Sequence, residues 1–300
     1  MRNLSQQKII DTSKQLEKKN LELKQNITTD INILLNRVKL DEKKELKKKL
    51  ISLSLFSFFP EIFAPYSPLE SNYDQLLKKP SSVNFFGTDE LGRDIFSRTI
   101  YGARVSLSVA LFTSIISLVF GTIYGLFSGI KGGIIDEVLM KVVDIFYSIP
   151  DLLLISIFIL LFGRGITGII IALSLLSWMR IARITRANVI ELKNRPFVIS
   201  AKVMGFSDTR IAFKEILPNI LAPIIVTFSF TIPSSILAES TLSFLGLGIS
   251  PPDVSWGLMA NNGWQGIRSY PHLIIFPCLA IFISTITFMK IGEYLKEKVK

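Results

Sequence analysis

Cysteine and histidine are almost absent from this sequence. Its 300 residues contain one cysteine, Cys278, and one histidine, His272. An intramolecular disulfide and a cysteine-based zinc site are therefore excluded within these residues, and imidazole catalysis has little to build on. The sequence also lacks the glycine-rich loop with a lysine that holds ATP phosphates. We expect no cofactor and no metal bound by this chain, and most enzyme classes are disfavoured.

Apolar residues, in contrast, are abundant. Hydrophobic residues make up 49% of the sequence, and the mean hydropathy is +0.44. These values are typical of a protein that lies largely in a membrane. In a soluble protein, the net charge of +10 would favour binding to nucleic acid. In a membrane protein, the distribution of the basic residues instead indicates how the chain is oriented across the membrane. We therefore expect lipid as a partner and no nucleic acid.

Long apolar runs predict the membrane-spanning helices. An α-helix needs about 20 apolar residues to cross about 30 Å of hydrocarbon. Three runs reach that length without a charged residue, namely residues 105–129, 216–238 and 269–289. A fourth span is expected across residues 152–162, with Asp144 and Asp151 near the end that meets water. A fifth, residues 165–179, is short and has to borrow a turn at each end or let Arg180 snorkel.

The distribution of basic residues predicts the orientation. Residues 1–49 carry 13 Lys and Arg against 7 Asp and Glu, and residues 180–215 carry 8 against 3. Basic segments are retained in the cytoplasm. Both segments, and the lysine-containing C-terminus, are cytoplasmic only if the short apolar segment 50–64 also crosses. The sequence thus predicts an all-α polytopic protein with about six transmembrane helices and both termini in the cytoplasm.

These spans divide the chain into five parts. They are a cytoplasmic amphipathic extension (1–49), a short first transmembrane segment (50–64), an extracytoplasmic segment (65–104), a core with five transmembrane helices and a cytoplasmic loop at 180–218 (105–292), and a cytoplasmic tail (293–300). The extension has apolar residues at helical spacing among lysines and glutamates. It is interpreted as a helix on the inner leaflet, as a coiled-coil contact with a partner, or as disorder.

The cytoplasmic loop contains a segment that is unusual for a connector. Residues 198–219 combine small Ser200 and Ala201 with Gly205, which permits a turn with positive φ, and Pro218 near the start of the next span. Small residues would let the surface of another protein approach. The segment is interpreted either as a compact helix-turn-helix facing the cytosol or as a solvated connector.

Three glycines and three charges are expected to have structural roles. Gly121, Gly125 and Gly129 recur every four positions, which permits close contact between helices. The charges Asp89, Arg93 and Asp94 surround a turn, where an internal ion pair or a helix cap is favoured over direct contact with a substrate.

The segment between the last two spans is expected to bend sharply, because Gly246 and Gly248 precede two prolines. Trp256 and Trp264 are interpreted as interfacial aromatic residues, with the lining of a transport path as the alternative. Glu239 is interpreted as an interfacial carboxylate at a helix end, although a charge within the membrane can also mark a transport path.

Four blocks carry a family resemblance, and they occur in the family's order. They are FGTDELGRDIFSRTIYGARVSLSVAL (86–111), GGIIDEVLMKVVDIFYSIP (132–150), WMRIARITRANVIELKNRPFV (178–198) and LSFLGLGISPPDVSWGLM (242–259). The segment from Ala201 through Gly205 to the closing ILPN resembles the EAA-type loop of ABC-importer permeases. Together the blocks resemble the C-type subunit of the dipeptide and oligopeptide, and nickel, permease family across residues 86–292.

The resemblance implies a type I importer permease of the MetI-like fold, located in the inner membrane. It implies four kinds of partner: a second homologous permease, two cytoplasmic ABC ATPases, an extracytoplasmic substrate-binding protein and lipid. ATP hydrolysis is expected in the separate ATPases, so this chain is not an enzyme. The implied function is import of oligopeptides or dipeptides by alternating access. The alternatives are a permease for nickel or another small solute, an ion-coupled carrier, and an intramembrane enzyme or scaffold.

The resemblance also implies roles for individual residues. The residues expected to couple the permease to the ATPases are Ser200, Ala201, Gly205, Arg210, Lys214, Pro218 and Asn219. Arg210 and Lys214 are basic residues that either contact the ATPase or only set topology. Ile199 stands where the family has a glutamate. The residues expected in the extracytoplasmic or gate region are Asp89, Arg93, Asp94, Glu239, Gly246, Gly248 and Trp256.

Overall fold

The computed structural model describes residues 59–299, together with residues 41, 44, 45 and 48. The four residues near the N-terminus are helical, and the Lys48 ammonium lies 3.3 Å from the Glu45 carboxylate. Apart from these four residues, the predicted extension 1–49 lies outside the described residues, and so do residues 50–58 of the predicted segment 50–64. Residues 60–63 of that segment form one helical turn.

Residues 59–299 are almost entirely helical, which confirms the all-α fold class. Within them, β structure is limited to one isolated bridge between Thr88 and Asp94. The main helices are α1 (Ile95–Lys131), α2 (Gly133–Tyr147), α3 (Asp151–Phe162), α4 (Ile166–Leu192), α5 (Pro196–Val203), α6 (Leu217–Phe244), α7 (Trp256–Trp264) and α8 (His272–Val299).

Four helices in the described part of the chain are long and apolar enough to cross a membrane. They are α1, α4, α8 and the continuous helix Asp208–Phe244, which contains α6. A fifth crossing is made if α2 and α3 count as one broken span, because they pass the same test together but are bent by 93°. The five predicted spans of the core therefore correspond to these elements.

Several predicted boundaries differ from the structure. α1 begins at Ile95, so residues 95–104 of the predicted extracytoplasmic segment 65–104 are helical. α4 continues through Arg180 to Leu192, so the predicted loop 180–218 begins as a helix rather than as a loop. α8 continues to Val299 through the predicted tail 293–300. Along this extension of α4, Arg183 and Arg186 each pair with an aspartate of α2.

The predicted span across residues 152–162 is also not straight. α2 ends at Tyr147 and α3 starts at Asp151, after Pro150, which supplies no amide to continue the hydrogen-bond ladder. The 12 residues of α3 rise about 18 Å, which is short of the thickness of the hydrocarbon. α3 alone therefore does not cross.

α1 and α4 pack closely through the predicted glycines, as expected. A Cβ atom at Gly121 would lie 2.5 Å from the Trp178 carbonyl oxygen, and one at Gly129 would lie 2.7 Å from the Val189 Cβ. Gly125 between them faces Ala182 in the same way. Because side chains are absent here, the backbones of the two helices touch, and this contact forms the centre of the bundle.

Candidate functional site

Residues 196–216, which we call the knob, connect α4 to α6. The knob consists of α5, a turn at Gly205 with φ of 79°, and a helical start at Asp208. The Ser207 hydroxyl accepts a hydrogen bond from the Arg210 amide and so caps the second helix. The predicted helix-turn-helix with a positive φ at Gly205 is confirmed.

The buried side of the knob packs on the helical bundle. Val198, Ala201 and Ile211 join a cluster with Leu126 of α1 and Val189 of α4. Ala201 is only 2% exposed. Its small side chain therefore allows α5 to approach the bundle, and the expectation that Ala201 faces another protein is wrong. Packing against α1 and α4 links any movement of the knob to these two helices.

The exposed side of the knob carries an apolar tip. Val203 and Met204 are 83% and 63% exposed, and Ile199 of the preceding turn is also exposed. Exposed apolar side chains of this size are usually covered by lipid or by another protein. Sequence analysis missed this tip because it gave weight to the small residues. The available signal was the run of apolar residues at a point where the chain turns.

Four of the remaining coupling candidates are exposed. Ser200, Lys214 and Asn219 are exposed, and the Arg210 guanidinium stacks 3.7 Å from the centre of the Phe206 ring. An arginine held on an aromatic ring is oriented, because the ring attracts the cation. Arg210 thus presents a fixed positive charge beside the apolar tip.

Pro218 follows a π-helical turn, Ile211–Ile216, in which the Leu217 amide bonds to the Ala212 carbonyl. Pro218 has no amide to bond the carbonyl of residue 214, so a regular α-helical ladder cannot pass through this point. The Asn219 side-chain amide donates to the Glu215 carbonyl at 2.6 Å. The knob therefore leads into α6 as one continuous helix with a local change of register.

Residues 64–94, which we call the polar cap, lie over the start of α1. Asp94 caps α1 by accepting hydrogen bonds from the Ser97 amide and hydroxyl, both at 2.8 Å. Asp89 pairs with Arg93 at 2.7 Å and with the buried Arg98 at 3.5 Å. The predicted ion pair and helix cap are confirmed, and these charges are used within the chain.

Glu239 lies inside the bundle and not at an interface. Its side chain is 0% exposed, and its carboxylate accepts hydrogen bonds from Ser243 at 2.8 Å and Ser106 at 3.0 Å. The interpretation of Glu239 as an interfacial carboxylate at a helix end is wrong. Because Ser106 belongs to α1 and Ser243 to α6, the carboxylate connects the two helices.

Trp256 is also buried, so its interpretation as an interfacial aromatic residue is wrong. Its indole nitrogen donates to the Thr99 carbonyl at 2.8 Å, and its backbone amide donates to Ser106 at 3.3 Å. Gly102 leaves room for the ring, since a Cβ there would lie 3.0 Å from it. Trp264 is exposed. Trp256 therefore anchors α7 onto α1, beside the Glu239 carboxylate.

The two glycines between α6 and α7 allow the predicted bend. Gly246 has φ of 75°, and a Cβ at Gly248 would lie 2.5 Å from the Ser243 amide nitrogen. The chain thus turns back onto the end of α6, and this turn positions Trp256 against α1.

Two aspartates of α2 pair with two arginines of α4. Arg186 pairs with Asp136 through two bonds of 2.5 and 2.6 Å. Arg183 pairs with Asp144 and lies 4.1 Å from the centre of the Tyr147 ring. Neither Asp151 nor Arg180 forms an ion pair with another residue of the described chain.

A cavity of about 410 Å³ lies between α3, α4 and α6. Asp151 and Arg180 line it together with hydroxyl groups of α6, among them Thr231, Ser235 and Thr241. Sequence analysis missed this site, because nothing in the local sequence shows that the 93° bend brings Asp151 towards α4. Within the described residues, no group of three or more His, Cys, Asp or Glu residues is arranged to hold a metal ion.

Comparison with known proteins places this geometry in context. A family model described as the binding-protein-dependent transport system inner membrane component matches residues 118–299. The chain is 37% identical over 248 residues to the oligopeptide transport system permease protein OppC of Bacillus subtilis (strain 168), covering 83% of this chain and 81% of that protein. It is 39% identical over 267 residues to the dipeptide transport system permease protein DppC of the same strain, covering 86% and 83%.

Two further similarities extend the comparison. The chain is 39% identical over 249 residues to the glutathione transport system permease protein GsiD of Shigella flexneri serotype 5b (strain 8401), covering 83% and 82% of the two chains. Among solved structures, an inward-facing conformation of the MetNI methionine ABC transporter matches with a TM-score of 0.57 and 19% identity. That match covers 69% of this chain and 98% of that one, and it shows a shared fold.

Proposed function

Because the chain belongs to the family of binding-protein-dependent transport system inner membrane components, we propose that it passes peptides through the membrane as one of two permease subunits. Family membership makes the chain a membrane-embedded permease of an ABC importer, whose ATPase is a separate subunit. The resemblance drawn from the sequence blocks is thereby confirmed. The substrate and the remaining details of the assembly belong to the proposal.

One observation supports the assignment of the substrate class. The relatives named above are permeases of oligopeptide, dipeptide and glutathione transport systems, and their identity of 37–39% extends over more than four fifths of this chain. Oligopeptides, dipeptides and glutathione are all short peptides. We therefore assign short peptides to this permease, delivered by an extracytoplasmic binding protein.

The knob is the contact with the ATPases in this proposal. Its apolar tip, Val203 and Met204, has the exposure expected of a surface that another protein covers, and Arg210 adds a positive charge beside it. Ser200, Gly205, Lys214, Pro218 and Asn219 shape or surround that surface. Ile199 fits an apolar contact better than the glutamate of the family would. Ala201 contributes from the buried side, by holding α5 on the bundle.

Movement passes from the knob to the membrane through α6. The second half of the knob and α6 form one helix, Asp208–Phe244, and Glu239 near its far end bonds to Ser106 of α1. A push on the knob can therefore reach the turn at Gly246 and Gly248 and the Trp256 anchor as a rigid-body displacement. Asp89, Arg93 and Asp94 hold the polar cap together at that end.

The orientation follows from the same assignment. If the knob meets cytoplasmic ATPases, the basic loop and the C-terminus are cytoplasmic and the polar cap lies outside, and the N-terminus is cytoplasmic as well if segment 50–64 crosses the membrane. Exposed apolar faces such as that of Val119 and Ile123 on α1 are then covered by lipid or by the second permease. Two permeases, two ATPases and one binding protein complete the importer, and ATP is bound and hydrolysed by the ATPases.

Uptake by the complete reconstituted transporter tests the substrate class. Proteoliposomes with both permeases, both ATPases and the binding protein are given labelled dipeptides and tetrapeptides, or nickel, with or without ATP. We expect ATP-dependent uptake of peptides. Nickel uptake without peptide uptake would establish the nickel permease instead. Uptake that persists without the ATPases and follows an ion gradient would establish a secondary carrier.

A further inference from the structure

The membrane cavity has a shape that suits a short extended chain. It is bounded by α3, α4 and α6, and its lining on α6 runs from Thr231 to Thr241. Ten residues of α-helix rise about 15 Å, and an extended peptide advances about 3.5 Å per residue, so about four peptide residues match this length. The volume of about 410 Å³ is in the range of ligand-binding cavities.

The two charged residues of the cavity, Asp151 and Arg180, form no ion pair in the described part of the chain, whereas the neighbouring aspartates of α2 and arginines of α4 do. Going along α4, Arg186 and Arg183 pair with Asp136 and Asp144 in antiparallel order. The next arginine along α4 in this direction is Arg180, and the next aspartate after Asp144 is Asp151. Both line the cavity. Neither has an ion-pair partner within residues 59–299. Both residues are exposed at the cavity, so their charges are available to a polar ligand.

A buried hydroxyl group adds an independent indication of a ligand. Ser235 lines the cavity and is 3% exposed, and its hydroxyl has no hydrogen-bond partner within the described residues. The neighbouring Thr231 and Thr241 hydroxyls instead bond to carbonyl groups of their own helix. A buried polar group without a partner is unfavourable, and a ligand with a peptide group can satisfy it.

We propose that this cavity is a binding site for short zwitterionic peptides on their way through the membrane, in which Arg180 binds the terminal carboxylate and Asp151 the terminal ammonium group. The Ser235 hydroxyl, whose oxygen is buried in this structure, turns towards the cavity to bond to a peptide group between them. Opposite charges on the protein offset the cost of bringing both charged peptide ends into the membrane. The proposal rests on the proposed function, because it concerns the same peptides.

Matched neutral variants and blocked peptides test the site. Arg180→Gln and Asp151→Asn are compared with Arg164→Gln and Glu293→Gln, which remove exposed charges away from the cavity. The probes are trialanine, its C-terminal amide and its N-acetyl form, given to the complete reconstituted transporter below saturation. Each variant is compared with wild type for the same peptide, so that the preference of the binding protein cancels.

The expected result is a selective loss. Arg180→Gln lowers trialanine uptake about tenfold, the size of one lost charged hydrogen bond, but leaves uptake of the amide at the wild-type level. Asp151→Asn gives the same pattern with the N-acetyl peptide. Equilibrium binding of the three peptides to the solubilised complex without its binding protein repeats the comparison, so a binding protein that rejects blocked peptides does not prevent the test.

Three results would overturn the proposal, and they are distinguishable. If Arg180→Gln behaves like Arg164→Gln with every peptide, the cavity does not contact the substrate. If it lowers uptake of trialanine and of the amide equally, Arg180 acts through Asp151 as a closing ion pair and does not bind the peptide. If the wild-type complex hydrolyses ATP but imports and binds no peptide, the proposed substrate class fails together with this site.

Discussion

At the scale of single residues, glycine determines how closely the two central helices approach. A Cβ at Gly125 would lie 2.8 Å from the Thr185 Cβ and would also meet the Ala182 carbonyl. The Gly125→Ala variant therefore has to push α1 and α4 apart, at a cost of about 1–3 kcal/mol. We expect a lower unfolding temperature in detergent and a smaller yield of folded protein.

Gly165→Ala is the matched control for this change. Gly165 precedes α4, has an extended backbone, and has no atom within 4 Å of an added Cβ. We expect its unfolding temperature to stay at the wild-type value. Equal unfolding temperatures for the two variants would show that the helices do not touch through the glycines.

Glu239 is a second residue whose role can be measured. Replacement by leucine leaves the hydroxyl groups of Ser106 and Ser243 without their acceptor in a buried site, which costs about 1–3 kcal/mol for each group left unpaired. Glutamine keeps one side-chain oxygen as an acceptor. We expect Glu239→Leu to lower the unfolding temperature clearly and Glu239→Gln to lower it much less.

Transport assays on the same two variants distinguish a structural role of Glu239 from a requirement for its charge in transport. If the carboxylate only joins α1 to α6, the Glu239→Gln protein transports at close to the wild-type rate. A stable Glu239→Leu protein would contradict the structural role. A Glu239→Gln protein that folds normally but does not transport would show that a charge at this position is required for passage.

Local sequence predicted those residues whose partners are near in the chain. Asp94 caps the helix that starts at the next residue, and Gly205 forms its own turn, so both roles could be recognised from the sequence. Glu239 bonds to a serine 133 residues away, and the Trp256 indole bonds to a carbonyl 157 residues away. No local pattern reports such contacts, and both residues were placed wrongly at the membrane surface.

At the scale of elements, the knob is the part most open to experiment. Its tip, Val203 and Met204, is exposed and apolar. The double variant Val203→Asp, Met204→Asp places charge where another protein is expected to exclude water, but it changes no buried contact. We expect the permease to fold and insert normally and to lose at least tenfold in co-purification of the ATPases.

Val83→Asp is the control for the knob variant. Val83 is an exposed apolar residue of the polar cap, far along the chain from the knob. We expect it to retain the ATPases like the wild type. Retention of the ATPases by the double variant would contradict docking through the tip. By comparison, Ala201→Asp would be uninformative, because Ala201 is buried in the bundle.

Hydropathy predicted which elements exist, but not their ends. The apolar runs located α1, α6 and α8, because length without charge is a property of the sequence alone. α4 continues beyond its apolar run, where Arg183 and Arg186 pair with aspartates of α2 that are distant in sequence. The break between α2 and α3 could be suspected from Pro150, but its angle of 93° could not. That angle creates the cavity, so this candidate site was beyond sequence analysis.

At the scale of the whole molecule, the bundle is connected internally by buried contacts and leaves apolar surfaces exposed, as expected of one subunit of a larger complex. Its buried hydrogen bonds join α1, α6 and α7, and its glycine contacts join α1 and α4. The apolar tip of the knob and the apolar faces of α1 are left exposed. A permease that works with a second permease and two ATPases has uses for each of these exposed surfaces.

Cross-linking during turnover tests the central claim, that ATPases drive this bundle through the knob. Cys278 is the only cysteine, so Cys278→Ser with Val203→Cys places a single thiol on the tip. With a cysteine introduced into the facing surface of the ATPase, we predict a cross-link between the two chains whose formation blocks peptide uptake and whose yield changes with ATP. A knob that never cross-links to the ATPase, in a complex that still imports peptide, would contradict the account.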